Sequence, residues 1–216
     1  MKYRKCREFL LMAKNKTNSV VKKEMERLDN LGATVSIDQI EPTTFVFNFN
    51  FEIMKYHRQR VSRFHQYDPL SKYKDRVRTM IINSMAASNL EIPENCWKAP
   101  FEIDIVCARP PKKGSGSKKS LVYKLLGSIK RSIYPDLDNL AKTPMDIMNE
   151  LIWYDDAQAY KLSIEKLYSL EEYTKITVKF NPEDPKLSVG RLTSEEATRY
   201  EELINQIDTE IWNTTK

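Results

Sequence analysis

Phenylalanine occupies every second position from Phe45 to Phe51, with Val46, Asn48 and Asn50 between, and this period of two predicts a strand with one buried face. Phe101, Ile103, Ile105 and Cys107 repeat the pattern, which ends where Pro110 and Pro111 remove backbone donors. Tyr160, Leu162 and Ile164 alternate again, as do Thr174, Ile176, Val178 and Phe180. The short Ser169–Glu172 connection between these two runs predicts an antiparallel hairpin. Elsewhere the period is helical. Val21, Met25 and Leu28 share a face within Ser19–Leu31, with Gly32 as the stop, and Tyr73, Val77, Met80, Ile81 and Met85 mark a second helix. Near the end, Thr193 and Glu196 form a capping box ahead of a stripe of Tyr200, Leu203, Ile204, Ile207 and Ile211. That helix is expected to pack on its own domain, or alternatively to serve a dimer or partner surface.

This order of elements predicts an α/β (α+β) class: a mixed β-sheet containing an antiparallel hairpin and flanked by helices. The expected organisation is a helical extension over residues 1–40, a central domain over 41–182, and a linker with an amphipathic helix over 183–216. There is no internal repeat, and the five glycines form no phosphate-binding loop.

The net charge is only +5, so its distribution carries more than its sum. No acidic residue interrupts Ile105 to Pro135, whereas Arg109, Lys112, Lys113, Lys118, Lys119, Lys124, Lys130 and Arg131 all fall there, a candidate DNA-binding set. The run Lys112–Lys119 (KKGSGSKK) reads either as a solvated loop or as a flexible one that contacts phosphates. Three cysteines without CxxC spacing and two isolated histidines exclude a disulfide framework and a zinc finger, and they fit a reducing cytoplasm. No run approaches the roughly 20 apolar residues of a membrane span. The chain is expected to be soluble and cytoplasmic.

The chemistry concentrates in YPDLDNLAKTPMDIMNELIWYDDAQ, residues 134–158. Clustered carboxylates repel unless a cation or proton neutralises them, and hard oxygen ligands suit Mg²⁺, with Mn²⁺ as the alternative. Such a cation polarises a phosphodiester and makes a bound water more acidic. Asp136 and Asp138 point the same way if the backbone is extended, while Asp138, Lys142 and Asp146 share one face if it is helical. A helix entered at Asp138 or Asn139 suits their capping preference. Pro144 either begins a helix behind Thr143 or kinks one already under way; the kink keeps Lys142 near Asp138 and is favoured. The plain alternatives are a solvated turn or cap for each aspartate pair, and a screening role for Lys142.

Asp136-Leu137-Asp138-Asn139-Leu140-Ala141-Lys142, then Asp146, then Trp153-Tyr154-Asp155-Asp156-Ala157-Gln158, resembles the signature of RusA-type Holliday-junction resolvases. The likeness runs from about Phe45 to Phe180. It implies a homodimeric, Mg²⁺-dependent endonuclease of phage or prophage type, which cuts branched four-way DNA symmetrically in a bacterial or phage-infected cell. It further implies that Asp136, Asp138 and Asp156 bind metal and that Lys142 is catalytic. The following Ala157-Gln158 favours Asp156 over Asp155 as ligand, leaving Asp155 and Asp146 as supporting residues. A non-catalytic junction-binding accessory protein is the rival reading. A metal–nucleotide-sugar site is disfavoured by the lack of a nucleotide-binding βαβ region. The restriction-nuclease pattern fails because Glu165-Lys166 lacks the intervening residue.

Overall fold

In the computed structural model, which describes residues 19–56, 60–61, 66–112, 114–182 and 194–207, the phenylalanine alternation forms strand β2, Thr44–Phe49. It pairs antiparallel with β1, Val35–Glu41, at the end of the segment expected to be helical. Ahead of them helix α1 covers Ser19–Leu31 as expected, and Gly32 stops it at φ +62°, where a side chain would be strained. Short strands β3 (Arg60–Val61) and β4 (Gln66–Tyr67) pair with each other, and α2 follows over Ser71–Ala87. The second predicted alternation is β5, Phe101–Arg109. Helices α3 (Lys118–Leu125) and α4 (Leu137–Met148) then lead to β6 (Ala159–Tyr168) and β7 (Tyr173–Phe180).

The five-stranded sheet has the order β1-β2-β7-β5-β6, with β5 and β6 parallel and the other neighbours antiparallel. The mixed α+β class therefore holds, but its hairpin is β1–β2. The expected hairpin between β6 and β7 is not formed, because β5 lies between them. Side chains explain the order. β5 is the more apolar strand and takes a central place, with Phe101, Ile103, Ile105 and Cys107 buried. β6 carries Lys161, Ser163, Glu165 and Lys166, which suit an edge.

One apolar cluster joins the inward residues of the sheet to Val21 and Leu28 of α1, Tyr73, Val77 and Ile81 of α2, and Leu140, Ile147 and Met148 of α4. Phe101 stacks on Trp153 at 4.5 Å between centroids, fastening the end of the α4 segment to the start of β5. α4 is thus the crossover between the two parallel strands. It begins beside the end of β5 and finishes beside its start.

Chain contacts divide the molecule into units Met1–Pro182 and Glu183–Lys216. The second contains helix α5, Ser194–Ile207. Its expected capping residue Thr193 and the last stripe position Ile211 lie outside the described residues. No helix among the described residues is long and apolar enough to cross a membrane.

Candidate active site

Helix α4 begins at Leu137 with Asp136 as its N-cap, so Asp136 is extended (φ −70°, ψ 156°) and Asp138 already lies in the first helical turn. The entry is therefore earlier than Asp138 or Asn139, and a shared extended backbone does not align the two aspartates. Both are solvent-exposed. The Asp136 side chain makes no capping bond, and neither carboxylate has a protein partner among the described residues. The unpaired amides and dipole at the start of the helix favour negative charge there. Pro144 sits inside α4, which continues to Met148, as the kinked-helix reading requires. Thr143 Oγ1 is buried there without a partner among the described residues.

Two ties fix this entry. Lys166 of β6 donates to the carbonyls of Ile133 (2.9 Å) and Pro135 (2.8 Å), immediately before Asp136. The Tyr56 amide donates to the Asn139 carbonyl at 2.6 Å, and its ring lies 5.3 Å from Lys142 Nζ. Lys142 pairs forward along the helix with Asp146 Oδ1 at 3.8 Å. The other oxygen of Asp146 accepts from Lys74 of α2 at 2.8 Å, and Lys74 also holds Asp68 at 2.6 Å. Burial opposes the charge on Lys74, but the hydrogen bonds to Asp146 and Asp68 outweigh it and hold its pKa above the ordinary lysine value. Arg78, one turn further along α2, donates to the carbonyls of Asp146, Ile147 and Asn149 and so closes the end of α4.

At the far end of α4 the two remaining aspartates separate in role. Asp155 caps the 3₁₀ turn Asp156–Gln158: its Oδ1 accepts from the Ala157 amide at 2.8 Å, and Gln158 Oε1 accepts from the Asp155 amide at 2.8 Å. Asp156 has no partner among the described residues and is half-buried. The 12-residue α4 stands between them and Asp136, a span of roughly 18 Å. Consistent with that span, no group of three His, Cys, Asp or Glu among the described residues can hold a metal ion within one chain. Asp136 and Asp138 sit at the same end of α4, whereas Asp156 follows its other end.

The basic segment is also reorganised. Only its first part is a turn, and Ser117 then caps α3, whose Lys118 and Lys119 are exposed. Lys113 lies outside the described residues. Lys112 and Lys130 are exposed, while Lys124 is tied to Ser115. Arg131 is the one clear correction to the DNA-binding set. Its side chain is 0% exposed, donates to both Glu52 oxygens (2.8 and 3.1 Å) and to the Cys107 carbonyl, and cannot reach DNA. Arg109, one-third exposed, also donates to Glu52. An open cavity of about 700 Å³ lies against the Asp136 loop, lined among others by Lys55, Arg109, Lys112, Tyr134 and Pro135.

A family model described as Endodeoxyribonuclease RusA matches residues 50–179. The chain belongs to the RusA family. It is also 34% identical over 88 residues to Uncharacterized protein YqaN of Bacillus subtilis (strain 168), a match covering 40% of this chain and 62% of that protein. The limits of the RusA match enclose the whole acidic segment, β5, α4 and β6.

Several residues of this RusA-family site escape a reading of the acidic segment alone: Asp68, Lys74, Arg78, Tyr56, Lys166 and Glu52. Lys74 and Arg78 carried a usable signal. They lie at i and i+4 beside the apolar positions Tyr73 and Val77, where two cations flanking a buried stripe imply an acidic or carbonyl-rich neighbour. The division between Asp155 and Asp156 yields a test. Asp155→Ala removes a cap and is expected to cost about 1 kcal/mol in urea unfolding while nuclease activity persists. Asp156→Asn is expected to do the reverse.

Proposed function

We propose that this chain is a structure-selective endonuclease that resolves four-way DNA junctions in recombination and repair, using Mg²⁺ or alternatively Mn²⁺. The observation that carries the reading is the pair of exposed carboxylates at Asp136 and Asp138, without a partner among the described residues, with Asp138 one turn from Lys142 and both within the RusA match. A carboxylate pair without a cation among the described residues is a donor set that suits a hard divalent ion. Asp136, Asp138 and Asp156 would hold it, and when bound it neutralises the scissile phosphate and acidifies water. Lys142 offsets charge that builds on the phosphate in the transition state. Lys166 and Tyr56 hold the entry to α4 so that both carboxylates stay in register.

Asp156 reaches that pair from a second copy. β6 is an edge strand, and Tyr160, Lys161, Leu162 and Ser163 along it are all exposed. The later half of β6 is flanked by residues 124–131. A second chain adding antiparallel to the free half, about a twofold axis at Lys161, covers Tyr160 and Leu162. It also brings Asp156 of each chain level with Lys166 of the partner subunit, which lies beside the partner's Asp136. A homodimer with two such shared sites matches the pseudo-twofold symmetry of a four-way junction.

The exposed Lys118, Lys119 and Lys130 would contact phosphates on either side of the cut. Replacing all three with alanine is expected to reduce the slope of log affinity against log salt by up to about one unit for each phosphate no longer neutralised. Fluorescence anisotropy of labelled junction DNA at several salt concentrations checks this, and an unchanged slope removes α3 from the interface.

A non-catalytic junction-binding role is favoured by one observation, the absence of a complete three-carboxylate group within a single chain among the described residues. The two readings part on adding Mg²⁺ to metal-free protein bound to a labelled junction. The resolvase cuts, and EDTA stops it; tight binding with no product under Mg²⁺ or Mn²⁺ assigns the accessory role.

A further inference from the structure

A line of alternating charge runs from the start of α2 into the middle of α4. Asp68 Oδ1 accepts from the Leu70 amide at 2.8 Å, so its carboxylate is fixed by backbone, and its Oδ2 holds Lys74 at 2.6 Å. Lys74 passes on to Asp146 Oδ2 at 2.8 Å, and Asp146 Oδ1 faces Lys142 at 3.8 Å. Side-chain exposure is 21% at Asp68, lowest at Lys74 (13%), 21% at Asp146 and 49% at Lys142. The inner members are thus held tightly, and the outermost cation is free to act.

We infer that Lys74, clamped by Asp68, is a positioning residue for Lys142 and acts through Asp146. This rests on the catalytic role proposed above for Lys142. Asp146 lies one turn after Lys142 on α4, and Asp138 lies one turn before it. Lys142 thus stands one turn from each of two carboxylates, one structural and one at the reacting end, and pairs with the structural one. At 3.8 Å the contact with Asp146 is an ion pair longer than a hydrogen bond, so the ammonium keeps its donors for the phosphate. Lys74 maintains that distance in two ways. It engages one Asp146 oxygen directly, and its charge shares the carboxylate's field. Without Lys74, the half-buried carboxylate has one cation left to satisfy it among the described residues. Asp146 then turns to Lys142, closes to a charge-assisted hydrogen bond, and draws the lysine down the helix away from Asp138.

Steady-state cleavage of a four-way junction, with thermal unfolding of each variant alongside, tests this. Lys74→Met is expected to lower kcat roughly 10- to 100-fold, the scale of a catalytic group displaced by about 1 Å. The half-saturating junction concentration should stay unchanged, and Lys74→Arg should restore most of the rate. In a Lys142→Ala background, Lys74→Met should cost nothing further, because the group it positions is gone. Asp68→Asn, which weakens the clamp but keeps the buried cation paired to Asp146, should show a smaller fall with the same dependence on Lys142. It serves as the second variant if Lys74→Met unfolds. Wild-type kcat in Lys74→Met or Asp68→Asn, or a loss that adds in full to that of Lys142→Ala, overturns the inference and leaves the resolvase reading intact. Failure of wild-type protein to cut at all overturns both.

Discussion

Asp136→Asn and Asp156→Asn subunits, each inert alone, are expected to regain nicking when mixed. Each substitution by itself should depress cleavage by at least roughly 10²–10³-fold, the scale of removing one fixed charge-stabilising group from a site. In a mixed dimer built on the β6 edge, one shared site carries both substitutions and the other carries neither. The intact site should nick one strand of a junction at a rate within a few-fold of the wild-type site, without the second cut that completes resolution. Subunit exchange followed by a denaturing gel reads the result. No recovery from mixed subunits, with wild type active and exchange verified, would mean that each site draws its carboxylates from one chain. The span of α4 then has to be crossed by rearrangement on binding DNA, and the β6 dimer is wrong. The expectation follows from geometry: Asp136 and Asp156 stand at opposite ends of a 12-residue helix, and the exposed half of β6 lies between their levels.

The largest expected stability effect lies elsewhere, at Glu52. Its side chain is 1% exposed and receives Arg131, itself fully buried, together with Arg109. Glu52→Ala leaves the Arg131 guanidinium buried beside the Cys107 carbonyl without a counter-charge. The cost expected from urea unfolding is about 3–5 kcal/mol, because the penalty is that of an uncompensated buried charge and exceeds the worth of the ion pair alone. Changing both partners together to apolar residues of similar volume, Glu52→Leu with Arg131→Met, should recover most of that stability. A single-variant cost below about 1 kcal/mol would mean that water reaches Arg131 and that the guanidinium is not sealed in the core. Arg131 leads directly into the Ile133–Pro135 carbonyls that Lys166 holds, so the unfolding of this cluster also loosens the entry to α4.

Local pattern carried a good deal of this molecule. The bounds of α1, the strands at Phe45 and Phe101, the apolar face of α2 and the continuation of α4 through Pro144 all follow from short-range periodicity or backbone chemistry. So does the face shared by Lys142 and Asp146. Periodicity is silent on which strand lies beside which. The short turn at Ser169–Glu172 made β6 and β7 look like neighbours, yet the chain reverses there and leaves room for β5 between them. It is equally silent on burial of a charge. Arg131 belongs to an unbroken basic run, and nothing nearby in sequence announces that Glu52, far back in the chain, draws it inside. The carboxylates were legible as a set because their spacing is a motif, but not as a geometry. Asp155 looks as available as Asp156 until the Gln158 side chain is seen to close its cap, and the distance along α4 exists only once β5 and β6 are known to be parallel.

The central claim, that Asp136 and Asp138 serve a metal-dependent cut in branched DNA, is tested most directly on a synthetic four-way junction beside a linear duplex of equal length. Wild-type protein and Asp138→Asn are each run with Mg²⁺ or EDTA. The expected result is paired, symmetric nicks in the junction alone, dependent on Mg²⁺, and lost in Asp138→Asn while that variant stays folded and still binds. Full cleavage by folded Asp138→Asn, or cutting that proceeds equally in EDTA, would contradict the claim.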